Sequence, residues 1–351
     1  MKCFKIYENL VGKNFPTYFI AEAGVNHNGS VKLGFDLIDA AAEAGANAVK
    51  FQTFQAEKLN TKRAPKSTYH IETTGDDKKQ SWYDLLKSQE IDYDMHLSLI
   101  RRCNEKKIAF LSTPYDEESA DLLEELGVKA FKLASTDTTN IPLIRHIARK
   151  GFPMILSTAM CNFNEVEESV KAVRGEGNDE VAVLQCTGNY PSKLEDSNIH
   201  VISTYMKKFN CVVGFSDHNQ DFINPVAATA LGASIYEKHF TIDKSLPGPD
   251  HRMALNPDEL KQTIELIRKT EMALGSSDKI RLPSETENSQ KLRKSVVSSR
   301  TLLKGEILDE TMVVMKRPGS GISPAKLPLL LGRSINAEIP VDTLLSDDYF
   351  N

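Results

Sequence analysis

The stretch Gly232–Arg252 reads GASIYEKHFTIDKSLPGPDHR. It opens as an apolar strand, Ala233 to Tyr236, and runs into three titratable side chains, Glu237, Lys238 and His239. A Pro/Gly loop carrying Asp250 and His251 follows. Unpaired charge at the end of a buried strand is costly enough to shift its pKa, so such a cluster calls for a function. At the C-terminal mouth of a parallel barrel these residues face the active site. The preceding strand ends Gly214-Phe215-Ser216-Asp217-His218, which puts a second imidazole on a neighbouring strand end. His218 and His239 are therefore placed to share a metal ion.

Working outward, the chain alternates strand and helix. Thr17 to Ala23 is an apolar run that ends on Glu22 and breaks into the turn Gly24 to Gly29. Ser30 can cap a helix whose apolar positions are Val31, Phe35, Ile38 and Ala42, with Gly45 as its stop. Further strands are expected at 48–52, 108–112, 128–133, 153–157, 181–186, 211–215 and 234–239. The last helix opens on Asn256-Pro257-Asp258-Glu259, a cap followed by an N1 proline and two acids, and should bury Leu260, Ile264, Ile267 and Leu274. Eight such units in roughly 260 residues fit a closed (β/α)8 TIM barrel over 1–275. An open doubly wound sheet is the competitor. It fits less well, because polar residues end nearly every strand and do not gather at one switch point. The polar segment Thr53 to Ile91 is too long for a simple barrel loop and is expected to be functional or partly disordered.

After Gly275 the pattern changes. Residues 276–294 read as a polar, loop-like linker, and 295–351 as a small domain of short strands with turns at Lys304-Gly305 and Pro318-Gly319-Ser320-Gly321. So little apolar sequence should not make a self-sufficient core, and the small domain is expected to dock on the barrel or on a partner subunit.

Composition narrows the function classes. The chain has 351 residues, 40% hydrophobic and 26% charged, with a net charge of −5, which gives no nucleic-acid footprint. No apolar run approaches a membrane span, and the start lacks the long apolar region of a signal peptide. Five scattered cysteines, at 3, 103, 161, 186 and 211, make neither a disulfide framework nor a zinc spacing. The expectation is a cytoplasmic enzyme with no membrane or nucleic-acid partner.

The strand ends collect Glu22, Lys50 with Gln52, Thr113, Lys132 with Ser135, Ser157, Thr187 to Tyr190, Ser216 with His218, and Glu237 with His239. Two lysines along strands in a mouth otherwise rich in hydroxyls suggest a dianionic substrate group. No Walker or Rossmann glycine fingerprint occurs, so a nucleotide is not the expected phosphate carrier.

These motifs resemble a known family. Ile20-Ala21-Glu22-Ala23-Gly24-Val25-Asn26-His27-Asn28-Gly29 is similar to the opening signature of the sialic acid synthases. So are Lys50-Phe51-Gln52, Leu111-Ser112-Thr113-Pro114, Phe131-Lys132-Leu133-Ala134-Ser135, Ser216-Asp217-His218 and Glu237-Lys238-His239-Phe240, and also Cys186-Thr187 with Tyr190-Pro191. Lys316-Arg317-Pro318-Gly319-Ser320-Gly321-Ile322 resembles the antifreeze-like (SAF, β-clip) domain that closes those enzymes. The resemblance implies condensation of phosphoenolpyruvate with an N-acetylated hexose, N-acetylmannosamine or a diacetamido relative, to give a nine-carbon 2-keto sugar acid and phosphate. N-acetylneuraminate, legionaminate and pseudaminate synthases share most of these motifs.

The same resemblance implies a divalent metal, Mn²⁺ with Mg²⁺ or Co²⁺ as alternatives, held by His218 and His239. Glu22 would be the catalytic acid/base. Lys50, Thr113, Lys132, Ser135, Ser157, Ser216 and Ser284 would bind phosphoenolpyruvate, and Gln52, Tyr190, Glu237, Asp250 and Arg317 the sugar. It also implies a domain-swapped homodimer, with Arg317 reaching the partner's barrel. The pair between Thr187 and Tyr190 is Gly188-Asn189, where some relatives carry a polar side chain in place of the glycine, so only Tyr190 is carried over from that turn. Sugar discrimination is expected in the 53–91 insert and around Tyr190. The alternatives are a barrel synthase for a phosphorylated sugar, which would need spare arginines at strand ends, and a non-catalytic sugar-binding protein, which need not keep Glu22 and both histidines.

Overall fold

Alternation along eight short strands explains both the barrel and what fills it. The computed structural model describes residues 3–74 and 80–351, and the chain divides into the units Met1–Gly275 and Ser276–Asn351. The first unit contains β1 (Cys3–Ile6), β2 (Asn9–Gly12), β3 (Tyr18–Gly24), β4 (Ala48–Thr53), β5 (Ala109–Pro114) and β6 (Phe131–Leu133). It continues with β7 (Met154–Ser157), β8 (Val181–Cys186), β9 (Val212–Asp217) and β10 (Ile235–His239). Strands β3 to β10 form one sheet in the order β5-β4-β3-β10-β9-β8-β7-β6, and β5 packs beside β6. The pairing is parallel throughout, with His239 opposite Glu22 and Glu237 opposite Ser216. The expected eight-stranded TIM-like barrel is present.

Successive side chains of a strand face opposite sides. Tyr18, Ile20, Leu111, Ile155, Leu184 and Ile235 share one parity and cluster inside the barrel. Phe19, Val49, Phe110, Val183, Phe215 and Tyr236 have the other parity and pack with residues of the surrounding helices. Following the inward parity to the C-terminal strand ends reaches Glu22, Lys50, Gln52, Thr113, Lys132, Ser157, Cys186, Ser216, Glu237 and His239. The polar mouth is thus the last layer of the same alternation that builds the apolar interior.

Gly214 belongs to that inward set. A Cβ there would run into the Ile235 carbonyl and lie 2.6 Å from Leu184 Cδ2. Gly214→Ala should therefore destabilise the fold by about 1–3 kcal/mol, seen as a lowered Tm in thermal denaturation. An unchanged Tm would contradict this packing.

Three local features depart from the sequence expectations. The hairpin of β1 and β2 precedes the barrel, and its Phe4, Ile6 and Val11 join the interior cluster together with Tyr18, Ala48 and Ala109 at the strands' N-terminal ends. Its two-residue loop is Tyr7-Glu8, with Tyr7 at φ 49°, and it lacks the Asn-Gly or Asp-Gly that marks such turns. The helix Val31–Ala44 is capped by Ser30 as expected, but buries Gly34, Leu37, Ile38 and Ala41 and leaves Val31 exposed. The reason is Gly34, where a Cβ would lie 2.6 Å from Leu99 Cδ2. The closest approach falls on a residue with no side chain for periodicity to detect. In the helix Pro257–Leu274, Asn256 and Glu259 form the capping box and Leu260, Ile264 and Ile267 are buried, whereas Leu274, at the helix end, is 51% exposed.

The 53–91 insert carries three short helices, Ala56–Leu59, Thr68–Thr74 and Trp82–Lys87, the last closed by a Ser81/Asp84 capping box. Residues 75–79 of the insert lie outside the described residues. Among the described residues, no helix is long and apolar enough to cross a membrane.

In the second unit, part of the expected loop-like linker is a helix, Thr286–Leu292. Strands β11 (Ser295–Ser298) and β12 (Val313–Lys316) pair antiparallel. Contrary to the sequence reading, this unit has a core of its own, with Val296, Leu302, Leu308, Ile335, Ile339 and Leu345 buried together. Its apolar residues are spaced among loops and single bridges, so no strand-like run announces them.

Candidate active site

The inward strand ends form a chain of alternating charge. Lys50 Nζ lies 2.7 Å from Glu22 Oε2 and 3.9 Å from Glu237 Oε2, and donates to Thr113 Oγ1 at 3.0 Å. Lys132 Nζ lies 3.3 Å from Glu237 Oε1 and donates to Ser157 Oγ at 2.7 Å. Ser216 Oγ donates to Glu237 Oε1 at 3.0 Å, and Gln52 Nε2 donates to Glu22 Oε1 at 3.3 Å. Glu22, Lys50, Lys132 and Glu237 are all buried. Ser135 sits beside this set, its Oγ accepting from the Ala159 N–H at 2.9 Å.

Burial sets the proton affinities, and the neighbouring charges divide them. Glu22 is pushed up to about 7, chiefly by burial and partly by Glu237, against the pull of Lys50. Glu237 is also buried, but Lys132 and Lys50 together outweigh that and hold it below the usual carboxylate value. Burial lowers Lys132, whereas on Lys50 the carboxylates of Glu22 and Glu237 overcome burial and keep the ammonium. Two glutamates in one mouth are thereby driven apart, the arrangement that separates a proton-transfer group from a permanent charge.

The two histidines stand next to this chain, with ring centroids 5.4 Å apart. His218 Nδ1 is 2.6 Å from the Thr187 carbonyl, which places the proton on Nδ1 and the lone pair on Nε2. Burial opposes charge on His218, but Cys186, with Sγ 3.8 Å from Nδ1, together with the Thr187 carbonyl and Asp217 outweighs it and raises the pKa. His239 is held well below the ordinary histidine value, by burial first and His218 second. Its Nδ1 is buried without a hydrogen-bond partner, and the Asp250 carboxylate stands 3.6 Å away. Burial raises Asp250 itself to about 6. A neutral imidazole with an unpaired nitrogen is the form a metal ion binds. Among the described residues no three His, Cys, Asp or Glu side chains converge as a metal cage.

Lys238 does not belong to the mouth. Its parity is outward, and it pairs with Asp217 Oδ2 at 2.8 Å, where Tyr236 also donates at 2.6 Å. Asp217 Oδ1 accepts from the Asn219 N–H and from Asn224, so this outer knot fixes the backbone on both sides of His218. Gly24, at φ 53°, is the close approach on the other side. A Cβ there would lie 3.3 Å from both Asp250 Oδ2 and Glu22 Oε1.

Of the sequence candidates, Glu22, Lys50, Gln52, Thr113, Lys132, Ser157, Ser216 and Glu237 form one bonded network. His218, His239, Tyr190 and Asp250 form an adjoining group, with the Tyr190 ring 4.1 Å from His218 and 5.9 Å from His239. Glu237, expected with the sugar ligands, sits between the two lysines. Ser284 and Arg317 lie in the second unit and are both exposed. Sequence reasoning missed Tyr69 in the insert, whose ring is 5.9 Å from Tyr190, and Cys186, whose inward parity was the available signal.

The chain is similar to known proteins along nearly its whole length. The NeuB family matches residues 37–279 and the SAF domain matches residues 293–350. The chain is 38% identical over 338 residues to N,N'-diacetyllegionaminic acid synthase of Legionella pneumophila, covering 95% of this chain and 94% of that protein. It is 34% identical over 345 residues to human N-acetylneuraminate-9-phosphate synthase, covering 96% of this chain and 94% of that protein. It superposes on the crystal structure of the Bacillus subtilis spore coat polysaccharide biosynthesis protein spsE with a TM-score of 0.68 and 40% identity, covering 100% and 99% of the two chains. Fold, mouth and relatives define a barrel enzyme of the synthase class. The chain belongs to the NeuB family, the sialic, legionaminic and pseudaminic acid synthases, and closes in a SAF domain.

Proposed function

We propose that the protein condenses phosphoenolpyruvate with an N-acetylated hexose and water, giving a nine-carbon 2-keto sugar acid and inorganic phosphate. The observation that carries this reading is the buried chain Glu22–Lys50–Glu237–Lys132 lying against two neighbouring imidazoles. Lys50 and Lys132 bind the phosphate and carboxylate of phosphoenolpyruvate, with hydroxyls from Thr113, Ser135, Ser157 and Ser216 directing hydrogen bonds to its oxygens. An arriving dianion counters the burial that lowers Lys132 and favours its charged form. The resemblance assigns Ser284 to the same phosphate.

Gln52, Tyr190, Asp250 and Arg317 bind the hexose. Glu237 spends Oε1 on Lys132 and Ser216 and keeps Oε2 for a sugar hydroxyl. A divalent ion, manganese by expectation, would be held by His218 and His239 and would supply Lewis-acid polarisation of the aldehyde. The enol carbon of phosphoenolpyruvate forms the new bond to the aldehyde carbon. Water adds at the carbon bearing the phosphate, one of its protons ending on the former aldehyde oxygen, and the resulting hydroxyl gives up its proton as the keto group forms and phosphate leaves with its bridging oxygen. Glu22, with a pKa near 7, takes the proton of that water on its carboxylate.

The test is phosphate release from phosphoenolpyruvate with Mn²⁺ and a panel of hexosamines. Release should require both substrates, and release without any hexose would overturn the reading.

The resemblance also supports a homodimer in which the small unit of one chain completes the barrel of the other. Subunits carrying Arg317→Ala and His239→Ala, each inactive alone, should then regain part of their activity when mixed. Absence of recovery despite demonstrated subunit exchange would mean that Arg317 does not serve a partner.

A further inference from the structure

Tyr69 stands in the helix Thr68–Thr74 of the insert. Its ring lies 5.9 Å from that of Tyr190, which in turn lies against His218 and His239. The phenol oxygen is buried and has no hydrogen-bond partner among the described residues. A buried hydroxyl left unpaired is costly, so one held in a substrate pocket waits for a partner the substrate brings.

The surroundings say what kind of partner. Burial raises the Tyr69 pKa, so the phenol stays a protonated donor, and the Asp250 carboxylate, an acceptor, stands against His239 on the far side of Tyr190. A donor and an acceptor around one pocket match a sugar whose substituents offer both, a hydroxyl or an acetamido group. The insert holds the ring in place. Thr73 and Thr74 donate to the Tyr69 and His70 carbonyls, Ser67 Oγ lies 2.6 Å from His70 Nδ1, and the His70 ring packs 5.1 Å from Trp82.

We propose that the Tyr69 hydroxyl donates a hydrogen bond to an oxygen of the bound N-acetylated hexose and, with Asp250, sets which hexose is accepted. This rests on the synthase reading above and gives the insert its role. It places the discriminating contact on a residue outside the barrel strands.

Tyr69→Phe tests it, because the ring stays against Tyr190 and only the hydroxyl is lost. KM should be measured for the hexose and for phosphoenolpyruvate, with N-acetylmannosamine and its diacetamido relative as alternative sugars and a thermal melt as control. The hexose KM should rise about tenfold, the ratio between the two sugars should change, and the phosphoenolpyruvate KM should stay within about twofold. An unchanged hexose KM would overturn the proposal, as would a parallel rise in both KM values, which marks a merely structural role. Wild-type protein that releases no phosphate with any hexose is a separate outcome, in which the synthase reading fails and this proposal with it.

Discussion

Replacing either His218 or His239 with alanine should abolish synthesis while leaving the far-ultraviolet circular dichroism of the protein intact. Each substitution removes one of the two neighbouring imidazoles, and among the described residues no group of three His, Cys, Asp or Glu side chains able to hold a metal ion stands in reserve. The barrel has little stake in either ring. The strand ends are held by the pairing of β10 with β3 and β9, and the loop around His218 is held by Asp217. Turnover should be measured with and without added Mn²⁺, and metal binding should be followed by titration of the protein alone. Near-normal turnover in either variant after chelation would end the metal assignment. Loss of turnover with undiminished Mn²⁺ binding would move the histidines to another role.

Glu22→Gln should lower kcat by roughly 10²–10⁴-fold with little change in either KM. Glutamine keeps the size and the hydrogen bond with Gln52 but can no longer take up a proton. The geometry favours a chemical over a binding role. Burial raises Glu22 to about 7, whereas Glu237, in the same mouth and equally buried, is held ionised by two lysines. The group poised near neutrality is the one suited to proton transfer. A variant that mainly raises KM would make Glu22 a substrate-positioning residue.

What the sequence revealed and what it hid have a common physical explanation. A strand alternates strictly, so Glu22, Lys50, Lys132, Ser216, Glu237 and His239 could be assigned to one mouth once eight strands were recognised. The same rule, carried one residue further, would have sent Lys238 outward to Asp217. Contacts made by absent side chains were not legible. The helix Val31–Ala44 approaches its neighbour through Gly34, and the barrel interior closes over Gly214, where any Cβ would clash. Nor was the Tyr69 contact with Tyr190, because it joins the insert to the turn after β8 across a long sequence separation with no repeating pattern. The N-terminal hairpin was hidden for a third reason, since two four-residue strands joined by Tyr7-Glu8 carry neither enough alternation nor a turn signature.

The most direct measurement is the mass of the product formed from phosphoenolpyruvate and an N-acetylated hexose with Mn²⁺, using phosphoenolpyruvate labelled with ¹⁸O at the bridging oxygen. The account predicts a sugar acid whose mass equals the hexose plus pyruvic acid, carrying no phosphate, with the label released in inorganic phosphate. A phosphorylated product, or label retained in the sugar acid, would contradict it.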